Sequence, residues 1–376
     1  MRILHVATLF SPDGAYGGPT RVANNLAAEL GRRGHQVLLA GAARGFDRMP
    51  AELGGVPARL APARQVLPGI GYAGLAAPGL LPMLRGLTPA PDVVHVHLAR
   101  DLVTLPAAQW ALRRGLPLVV QTHGMIDASD RLLAKPLDLA WTIPVLRGAE
   151  KVYCLTPSEV EDIHHVAGSG VRTAVLPNGI PDPIAGVTPQ QRAGVVYIGR
   201  LHERKRPMMF VQMAQQAIAD GLSVDFDLFG PDEGEGDAVR EALRADDGGG
   251  RIRWSGALAP ENVPQRLATA AVLVNTTDNE RFGMSVIEAM AAGCVVIVGE
   301  SCGLATILDQ HDAGIVVPES TAAYVAALKE LHSDPNRMKN LADRGRQLAL
   351  DRFGIAGVVD QVEQDYRALT AERNPL

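Results

Sequence analysis

Runs of consecutive apolar residues alternate with amphipathic helical patterns through most of the chain. The first run, at residues 2–7, precedes a segment at about residues 19–30 in which Val22, Leu26 and Leu30 fall on one face. Strands that are apolar on both faces are typical of parallel sheets covered by helices. The first half therefore predicts an α/β domain, with further strands at residues 36–40, 92–97, 117–122, 151–156 and 173–177.

The alternation stops in turn-forming residues at positions 178–183 and then restarts. The second half predicts strands at residues 195–199, 225–230, 251–256, 271–275, 294–299 and 314–318. We therefore expect two Rossmann-like domains facing a central cleft, an acceptor-side domain at residues 1–178 and a donor domain at residues 179–353. Residues 354–376 predict a terminal helix, which we expect to cross back to the first domain because no strand follows it.

Composition narrows the functional classes. The chain has 376 residues, enough for two ordinary domains, and its 36 basic against 41 acidic residues give a net charge of −5. That balance argues against a nucleic-acid partner, which needs a broad basic surface. The three cysteines (Cys154, Cys294 and Cys302) are too widely spaced for a disulfide framework or a zinc motif. We therefore expect a reducing, cytoplasmic location.

One uncharged stretch, residues 65–84, is about long enough to cross a bilayer. Its three prolines and four glycines interrupt the continuous helix that lipid requires, so we reject a transmembrane span. The G-x-G-x-x-G at residues 69–74 has no strand before it and no helix after it, so it predicts no dinucleotide site. Two hypotheses remain: peripheral contact with the inner face of a membrane, or a packed loop with short helices, which is favoured.

The strongest chemical signal is the segment ERFGMSVIEAMAAG at residues 280–293, which lies between two predicted strands. It predicts a loop followed by a helix that ends at Gly293. The first turn of such a helix suits a diphosphate, because its backbone N–H groups and dipole favour anions. Glu280 on the loop and Glu288 inside the helix can accept hydrogen bonds from sugar hydroxyls. A capping box between Ser285 and Glu288 is an open alternative.

Positive charge for a diphosphate is available in GRLHERKRP at residues 199–207, directly after a predicted strand. Arg200 ends that strand and Lys205 lies near the next helix start, so the two predict a diphosphate clamp. Such a clamp would stabilise the leaving nucleotide without a metal ion. A solvated helix start is the simpler alternative for the basic residues of this segment.

In the first half, Gly17 and Gly18 are placed before the helix expected to begin at Pro19, where they would permit close backbone approach to phosphates. His123 follows a strand and is expected at the cleft, although a structural role is equally open. His95 and His97 share one face of a strand and could bind a metal. No third ligand is evident, so we favour a packing or cleft-wall role for that pair.

These segments, together with LPNG at residues 176–179 and Gly-Gly-Pro at residues 17–19, resemble glycosyltransferase family 4 over essentially the whole chain. That family is retaining and has the GT-B fold. The resemblance implies that His123 and Glu280 are catalytic, His123 lying against the donor sugar near its anomeric centre and Glu280 holding its hydroxyls. The donor-binding residues implied are Gly17, Gly18, Arg200, Lys205, Phe282, Gly283, Met284, Ser285 and Glu288, the last of these on the ribose.

The resemblance implies transfer of a sugar from a nucleoside-diphosphate-sugar, of UDP or GDP type, to an acceptor hydroxyl with retention of configuration. No cofactor or metal is expected besides this co-substrate. The product would belong to a polysaccharide, glycolipid or other glycoconjugate, and the acceptor (a sugar, a lipid-linked glycan or a small molecule) stays open. The alternatives are an epimerase or phosphorylase on the same fold, and a non-catalytic nucleotide-sugar-binding protein.

Overall fold

The computed structural model describes residues 1–12, 17–66, 74–128, 134–181 and 192–371. The chain divides into two compact units. The first unit comprises Met1–Ile180 and Ile355–Leu376, and the second comprises Pro181–Gly354. The division lies two residues after the junction expected at 178/179 and one residue after that expected at 353/354.

The first unit is built on a largely parallel sheet that, among the described residues, has eight strands in the order β10-β9-β8-β7-β1-β2-β4-β3. Only β3 runs antiparallel to its neighbour there, and β5 and β6 form a separate antiparallel pair. The strands are β1 Arg2–Phe10, β2 Gln36–Ala43, β3 Glu52–Leu53, β4 Val56–Pro62, β5 Arg64–Gln65, β6 Leu75–Ala76, β7 Val93–His97, β8 Leu118–Gln121, β9 Lys151–Cys154 and β10 Thr173–Val175. The predicted strands are therefore present. The apolar runs of β1, β2, β7, β8 and β9 are largely buried, whereas Val175 of β10 is exposed.

Helices lie between the strands of this unit, as the alternating pattern predicted. They are α1 Gly17–Arg32, α2 Leu80–Arg85, α3 Thr104–Arg113, α4 Ala134–Leu137, α5 Ile143–Gly148 and α6 Pro157–Ala167, with a π-helical turn at Asp138–Thr142. The start of α6 is capped by Thr156, whose hydroxyl accepts from the Glu159 amide at 3.2 Å.

The second unit contains a parallel sheet whose strand order, in the described residues, is β13-β12-β11-β14-β15-β16. Its strands are β11 Val195–Ile198, β12 Phe226–Phe229, β13 Ile252–Trp254, β14 Val272–Asn275, β15 Val295–Gly299 and β16 Ile315–Val317. Its helices are α7 Pro207–Ala219, α8 Gly236–Ala245, α9 Val263–Thr269, α10 Met284–Ala292, α11 Ala305–Gln310, α12 Thr321–Ser333 and α13 Pro335–Phe353. The strand order reverses between β11 and β14, and ligands of doubly wound sheets bind beyond the carboxyl ends of the strands at such a reversal.

The uncharged stretch at residues 65–84 is only partly described, since residues 67–73 lie outside the described residues. In the described part, Leu75, Leu80 and Leu84 are buried in the core of the first unit, whereas Val66 is exposed. These side chains fit the packed-loop hypothesis. Within the described ranges, each helix is too short or too polar to cross a membrane.

The terminal helix, Ile355–Ala371, belongs to the first unit, as predicted, and is anchored there by charge as well as by apolar contacts. Its Glu363 accepts from Arg33 Nη1 and from His35 Nε2, both at 3.1 Å, and pairs with Arg367. Burial opposes ionisation of this carboxyl, but the hydrogen bonds from these three residues outweigh it and lower the pKa of Glu363 to about 2.

Glu363→Gln is expected to lower the free energy of unfolding of the first unit by about 2 kcal/mol at pH 7. Because the folded-state pKa is depressed, the ionised carboxylate stabilises the fold above its unfolded-state pKa. That contribution is lost as the pH falls towards about 2. Calorimetric unfolding between pH 7 and pH 2 should therefore show the difference between wild type and variant shrinking below about pH 5. The exposed Glu161→Gln is the control, and a pH-independent difference would contradict the account.

Candidate functional site

Two loops meet at the strand reversal of the second unit. The loop after β11 contains a 3₁₀ turn, Glu203–Lys205, whose start is capped by His202. The loop after β14 is bonded to it: the Asp278 amide donates to the Arg204 carbonyl at 2.8 Å, and the Thr276 hydroxyl donates to the Lys205 carbonyl at 2.9 Å. The basic segment and the glutamate segment identified in the sequence therefore form one site.

Lys205 and Glu280 are the charged pair of this site. Lys205 Nζ lies 2.5 Å from Glu280 Oε2, and the Glu280 side chain is 15% exposed. Burial alone would raise the pKa of this carboxyl, but the charge and hydrogen bond of Lys205 outweigh burial, so the pKa of Glu280 lies below its ordinary value. Glu280 is therefore an ionised acceptor at neutral pH, held in place by a cation.

The backbone of the Glu280 loop is fixed by a second loop, which follows β15. The Gly303 amide donates to the Glu280 carbonyl at 2.7 Å, and the Asn279 amide donates to Ser301 Oγ at 2.9 Å. A methyl group at Gly303 would overlap the Arg281 carbonyl oxygen and lie 2.9 Å from its carbon. Gly303 is thus a supporting residue of the site that the sequence analysis missed.

Helix α10 begins directly after this loop, as predicted, and its first turn faces the pair. Gly283 precedes the helix with φ +79°, and within the described residues no side chain caps the helix start. Ser285 occupies the second helical position instead of the cap, so the capping-box alternative for Ser285 and Glu288 is not formed. A narrow cleft lies here, lined by Lys205, Ser285, Tyr197, Ile198, Gly199, Val274, Asn275 and Thr277.

The remaining residues predicted on α10 and its loop differ in how accessible they are to a ligand. The Phe282 ring is 4% exposed and packs edge-on against Phe353, 5.7 Å between ring centroids. A nucleotide could therefore contact the backbone of Phe282 but not its buried ring. Met284 and Glu288 are both half-buried, one turn apart on the helix.

Arg200 lies at the same end of the sheet but is held by a different carboxylate. Its Nη1 is 2.7 Å from Glu233 Oε2, on the loop after β12, and its side chain is 38% exposed. Glu233 was not predicted from the sequence. An anion approaching Arg200 has to compete with this glutamate.

In the first unit, the predicted histidine lies directly after β8. His123 has a left-handed backbone (φ +53°), and its Nε2 lies 2.8 Å from His97 Nδ1. His97 Nε2 lies 3.1 Å from His5 Nδ1, so three imidazoles form a row. Burial lowers the pKa of His123 to about 3. The Asn178 side chain acts in the opposite direction, because it favours the charged ring, but burial outweighs it. His123 is therefore a neutral ring at physiological pH.

The histidine pair of β7 does have a third neighbour, so the expectation that none exists is wrong. His5, on β1, lies beside His95 in register and bonds to His97. All three rings are fully buried. No sequence pattern links His5 to a pair 90 residues away, because only the parallel pairing of β1 with β7 brings them together.

The two predicted phosphate-binding glycines lie inside α1, which begins at Gly17 and not at Pro19. A methyl group on Gly18 would meet open space, so packing does not require glycine there. Close approach of this backbone to a phosphate stays a prediction. Residues 13–16 of the same loop lie outside the described residues.

Two family models match the chain. The model described as Glycosyl transferases group 1 matches residues 192–334, and the model described as Glycosyl transferase 4-like domain matches residues 17–179. Among characterised relatives, 2-deoxystreptamine N-acetyl-D-glucosaminyltransferase of Streptomyces fradiae is 27% identical over 98% of this chain and 96% of its own. D-inositol 3-phosphate glycosyltransferase of Kineococcus radiotolerans is 24% identical over 75% of this chain and 72% of its own.

Solved structures of similar fold include sucrose-phosphate synthase from Thermosynechococcus elongatus, with a TM-score of 0.76, 18% identity and 99% of each chain covered. Anabaena HepE in complex with UDP and glucose has a TM-score of 0.77 at 18% identity, covering 98% of this chain and 100% of its own. These likenesses confirm the predicted GT-B fold. Together with the two matching models, they show that the chain belongs to the group 1 glycosyltransferases, family 4.

Proposed function

We propose that the protein transfers a sugar from a nucleoside-diphosphate-sugar to an acceptor hydroxyl with retention of anomeric configuration. The observation that carries the proposal is the Lys205–Glu280 pair beside the start of α10, at the strand reversal of the second unit. A cation, an ionised carboxylate and a helix N-terminus at one point suit a ligand with both a diphosphate and hydroxyl groups.

Each group has a separate task in this proposal. Lys205, Arg200 and the backbone of Gly283, Met284 and Ser285 bind the diphosphate and stabilise the charge that develops on it as the anomeric bond breaks. Glu280 accepts hydrogen bonds from hydroxyls of the transferred sugar, Glu288 contacts the ribose, and His123 contacts the sugar near its reacting carbon. The leaving phosphate then helps to remove the acceptor proton on the same face, which gives retention.

The acceptor proposed is a small ring polyol. Two relatives are named for acceptors of this kind, 2-deoxystreptamine and D-inositol 3-phosphate. The donor proposed is a UDP-sugar, because the similar HepE structures contain UDP, UDP with glucose, or UDP-glucose. A metal ion is not needed in this scheme, since the side chains of Arg200 and Lys205 supply the positive charge.

The test is a matrix of UDP- and GDP-sugars against 2-deoxystreptamine, inositol 3-phosphate and simple sugars. Acceptor-dependent release of nucleoside diphosphate supports the proposal, and NMR of the product reports its anomeric configuration. Donor turnover without acceptor would indicate an epimerase, and phosphate-dependent turnover a phosphorylase. An inverted product would contradict retention, and loss of activity in EDTA would contradict metal independence.

Glu233→Gln is expected to tighten binding of the nucleoside diphosphate about two- to five-fold, because it releases Arg200 from a competing ion pair worth about 0.5–1 kcal/mol. Titration calorimetry measures the change. The control is Asp237→Asn, which removes a nearby carboxylate paired with Arg240 instead. Equal tightening in both variants would show a general charge effect and not competition for Arg200.

A further inference from the structure

The turn that carries His123 has an unfavourable backbone conformation. His123 and Gly124 both lie in the left-handed region, with φ +53° and φ +70°. The turn is closed by the Met125 amide, which donates to the Thr122 carbonyl at 2.9 Å. The left-handed region is disfavoured for a residue with a side chain, and such a conformation persists where the surrounding structure holds it. A contact from outside the turn is therefore needed to stabilise it.

That contact is made by a buried glutamate of the next helix in the chain. Glu159, the third residue of α6, is 3% exposed. Its Oε1 accepts from the Thr122 hydroxyl and from the Gly124 amide, both at 2.5 Å. These donors belong to the residues directly before and after His123. One carboxylate oxygen thus joins the two sides of the turn around the histidine.

Capping of α6 explains only part of this arrangement. The cap is Thr156, and a glutamate three residues after the cap commonly reaches back to the amide of the cap residue itself. Glu159 Oε2 accepts instead from the Leu155 amide, one residue further back, at 2.6 Å. This bond uses one carboxylate oxygen and leaves Oε1 to the His123 turn.

Glu159 is placed to act through His123 and not on a ligand directly. Both of its oxygens accept from protein donors, and its side chain is buried, so a substrate does not reach it. Its place in the first turn of α6 favours negative charge, because the helix dipole is positive at that end. Hydrogen bonds to a carboxylate are shorter and stronger than those between neutral groups. Glu159 is therefore a firm support for the turn.

The direction of the His123 ring depends on this turn. The ring Nε2 lies 2.8 Å from His97 Nδ1, and the two ring planes are 16° apart. A change in the φ angle of His123 would swing its whole side chain and break this contact. The imidazole is thus held at two points, its backbone by Glu159 and its ring by His97.

We propose that Glu159 is a positioning residue for sugar transfer, which holds the left-handed turn and so fixes the direction of the His123 ring. The effect on sugar transfer rests on the proposed function, in which His123 contacts the sugar near its reacting carbon. The hold on the turn does not rest on that function, and it can be measured in the ligand-free protein.

The direct test uses the single His-Gly pair of the sequence, His123–Gly124. Labelling the full chain with ¹³C-carbonyl histidine and ¹⁵N-glycine leaves one HNCO cross-peak, that of the Gly124 amide. A short hydrogen bond to a carboxylate moves an amide proton downfield, so the wild-type peak should lie downfield of the usual amide range. Glu159→Ala should move it upfield, and Glu159→Gln should move it part of the way, because an amide oxygen is a weaker acceptor.

The matched control is Thr156→Ala, which removes the cap of the same helix without touching the turn. It should lower the unfolding midpoint by about 2–4 °C and leave the Gly124 peak in place. Glu159→Gln keeps the size of the side chain, so it provides the measurement if Glu159→Ala does not fold. A Gly124 peak that stays in place in every Glu159 variant that folds would overturn the proposal.

Kinetics supply the second measurement once a donor and acceptor are known. Glu159→Ala should lower kcat about 10- to 100-fold with KM for the donor within about three-fold of wild type, because a reacting contact displaced by about 1 Å loses up to about 100-fold in rate. Glu159→Gln should recover most of that loss. Its oxygen can face the turn while its NH₂ group faces the Leu155 amide, which leaves only that amide without an acceptor.

Thr156→Ala should keep kcat within about two-fold of wild type. An equal loss of kcat in Thr156→Ala and Glu159→Ala, or an unchanged kcat in Glu159→Ala, would overturn the positioning role. If the Gly124 peak moves as expected but wild type transfers no sugar to any acceptor, the proposed function fails and the hold of Glu159 on the turn stands.

Discussion

Glu280→Gln is expected to lower kcat for sugar transfer by about 100-fold or more while leaving the affinity for free nucleoside diphosphate equal or higher. In the proposed function the carboxylate accepts hydrogen bonds from the transferred sugar, and glutamine replaces one of its acceptor oxygens with a donor. A loss of about 100-fold corresponds to about 2.7 kcal/mol of transition-state stabilisation. In the same proposal the nucleotide is bound by Lys205, which the substitution frees from its 2.5 Å ion pair.

Steady-state kinetics and calorimetric titration of the same Glu280 variant separate these two effects. Glu330→Gln is the matched control, since Glu330 is also paired with a cation, Arg337 at 2.8 Å, on a helix of the same unit. It should change neither kcat nor nucleotide affinity. Loss of nucleotide binding with unchanged kcat in Glu280→Gln would show that the carboxylate acts on the nucleotide instead of the sugar.

Gly230→Ala should destabilise the second unit by about 3 kcal/mol. A methyl group at this position would overlap the Gly199 carbonyl oxygen and lie 2.6 Å from its carbon. These are backbone atoms where β11 ends, so a side-chain rotation cannot relieve the overlap. Urea unfolding can be followed by the fluorescence of Trp254, whose indole N–H donates to the Gly230 carbonyl at 3.1 Å. For this measurement Trp110 and Trp141 are replaced by phenylalanine in both proteins, so that the fluorescence comes from Trp254.

The same overlap would displace Arg200, whose amide nitrogen would lie 3.3 Å from the added methyl. Nucleoside diphosphate affinity should therefore fall along with stability in the Gly230 variant. Gly357→Ala is the control, because Gly357 lies in the terminal helix with open space around it and should gain up to about 1 kcal/mol. Unchanged stability of Gly230→Ala would mean that the two strand ends are farther apart than described.

The elements that local patterns could predict were those with continuous apolar runs. The two buried segments on either side of Glu280, β14 and β15, are apolar on both faces, and Gly293 ends α10 with φ +79° as its position suggested. The prediction missed β4, because this strand alternates buried and exposed positions and contains Pro57, Arg59 and Pro62. Those residues resemble a loop in the sequence.

Site residues could be predicted where they directly follow a strand in the sequence. They could not be predicted where they join the site only through contacts between distant segments of the folded chain. Lys205 and Glu280 stood out because each follows an apolar run. Glu233 and Gly303 did not, because one acts through an ion pair with Arg200 and the other through a bond to the Glu280 backbone. Such contacts depend on the order of strands in the sheet, which the spacing of residues does not reveal.

In the proposed function Lys205 of the second unit binds the diphosphate of a nucleotide sugar, and titration calorimetry of Lys205→Met with UDP and GDP measures this binding. The control is Lys329→Met, which removes a lysine of the same unit whose Nζ lies 2.6 Å from Asp220 Oδ2. We expect wild type and the control to bind one of the two nucleotides equally, and Lys205→Met to bind it at least about 10-fold more weakly. Binding within about two-fold of wild type in Lys205→Met, or no binding of either nucleotide to wild type, would contradict the proposed role of Lys205.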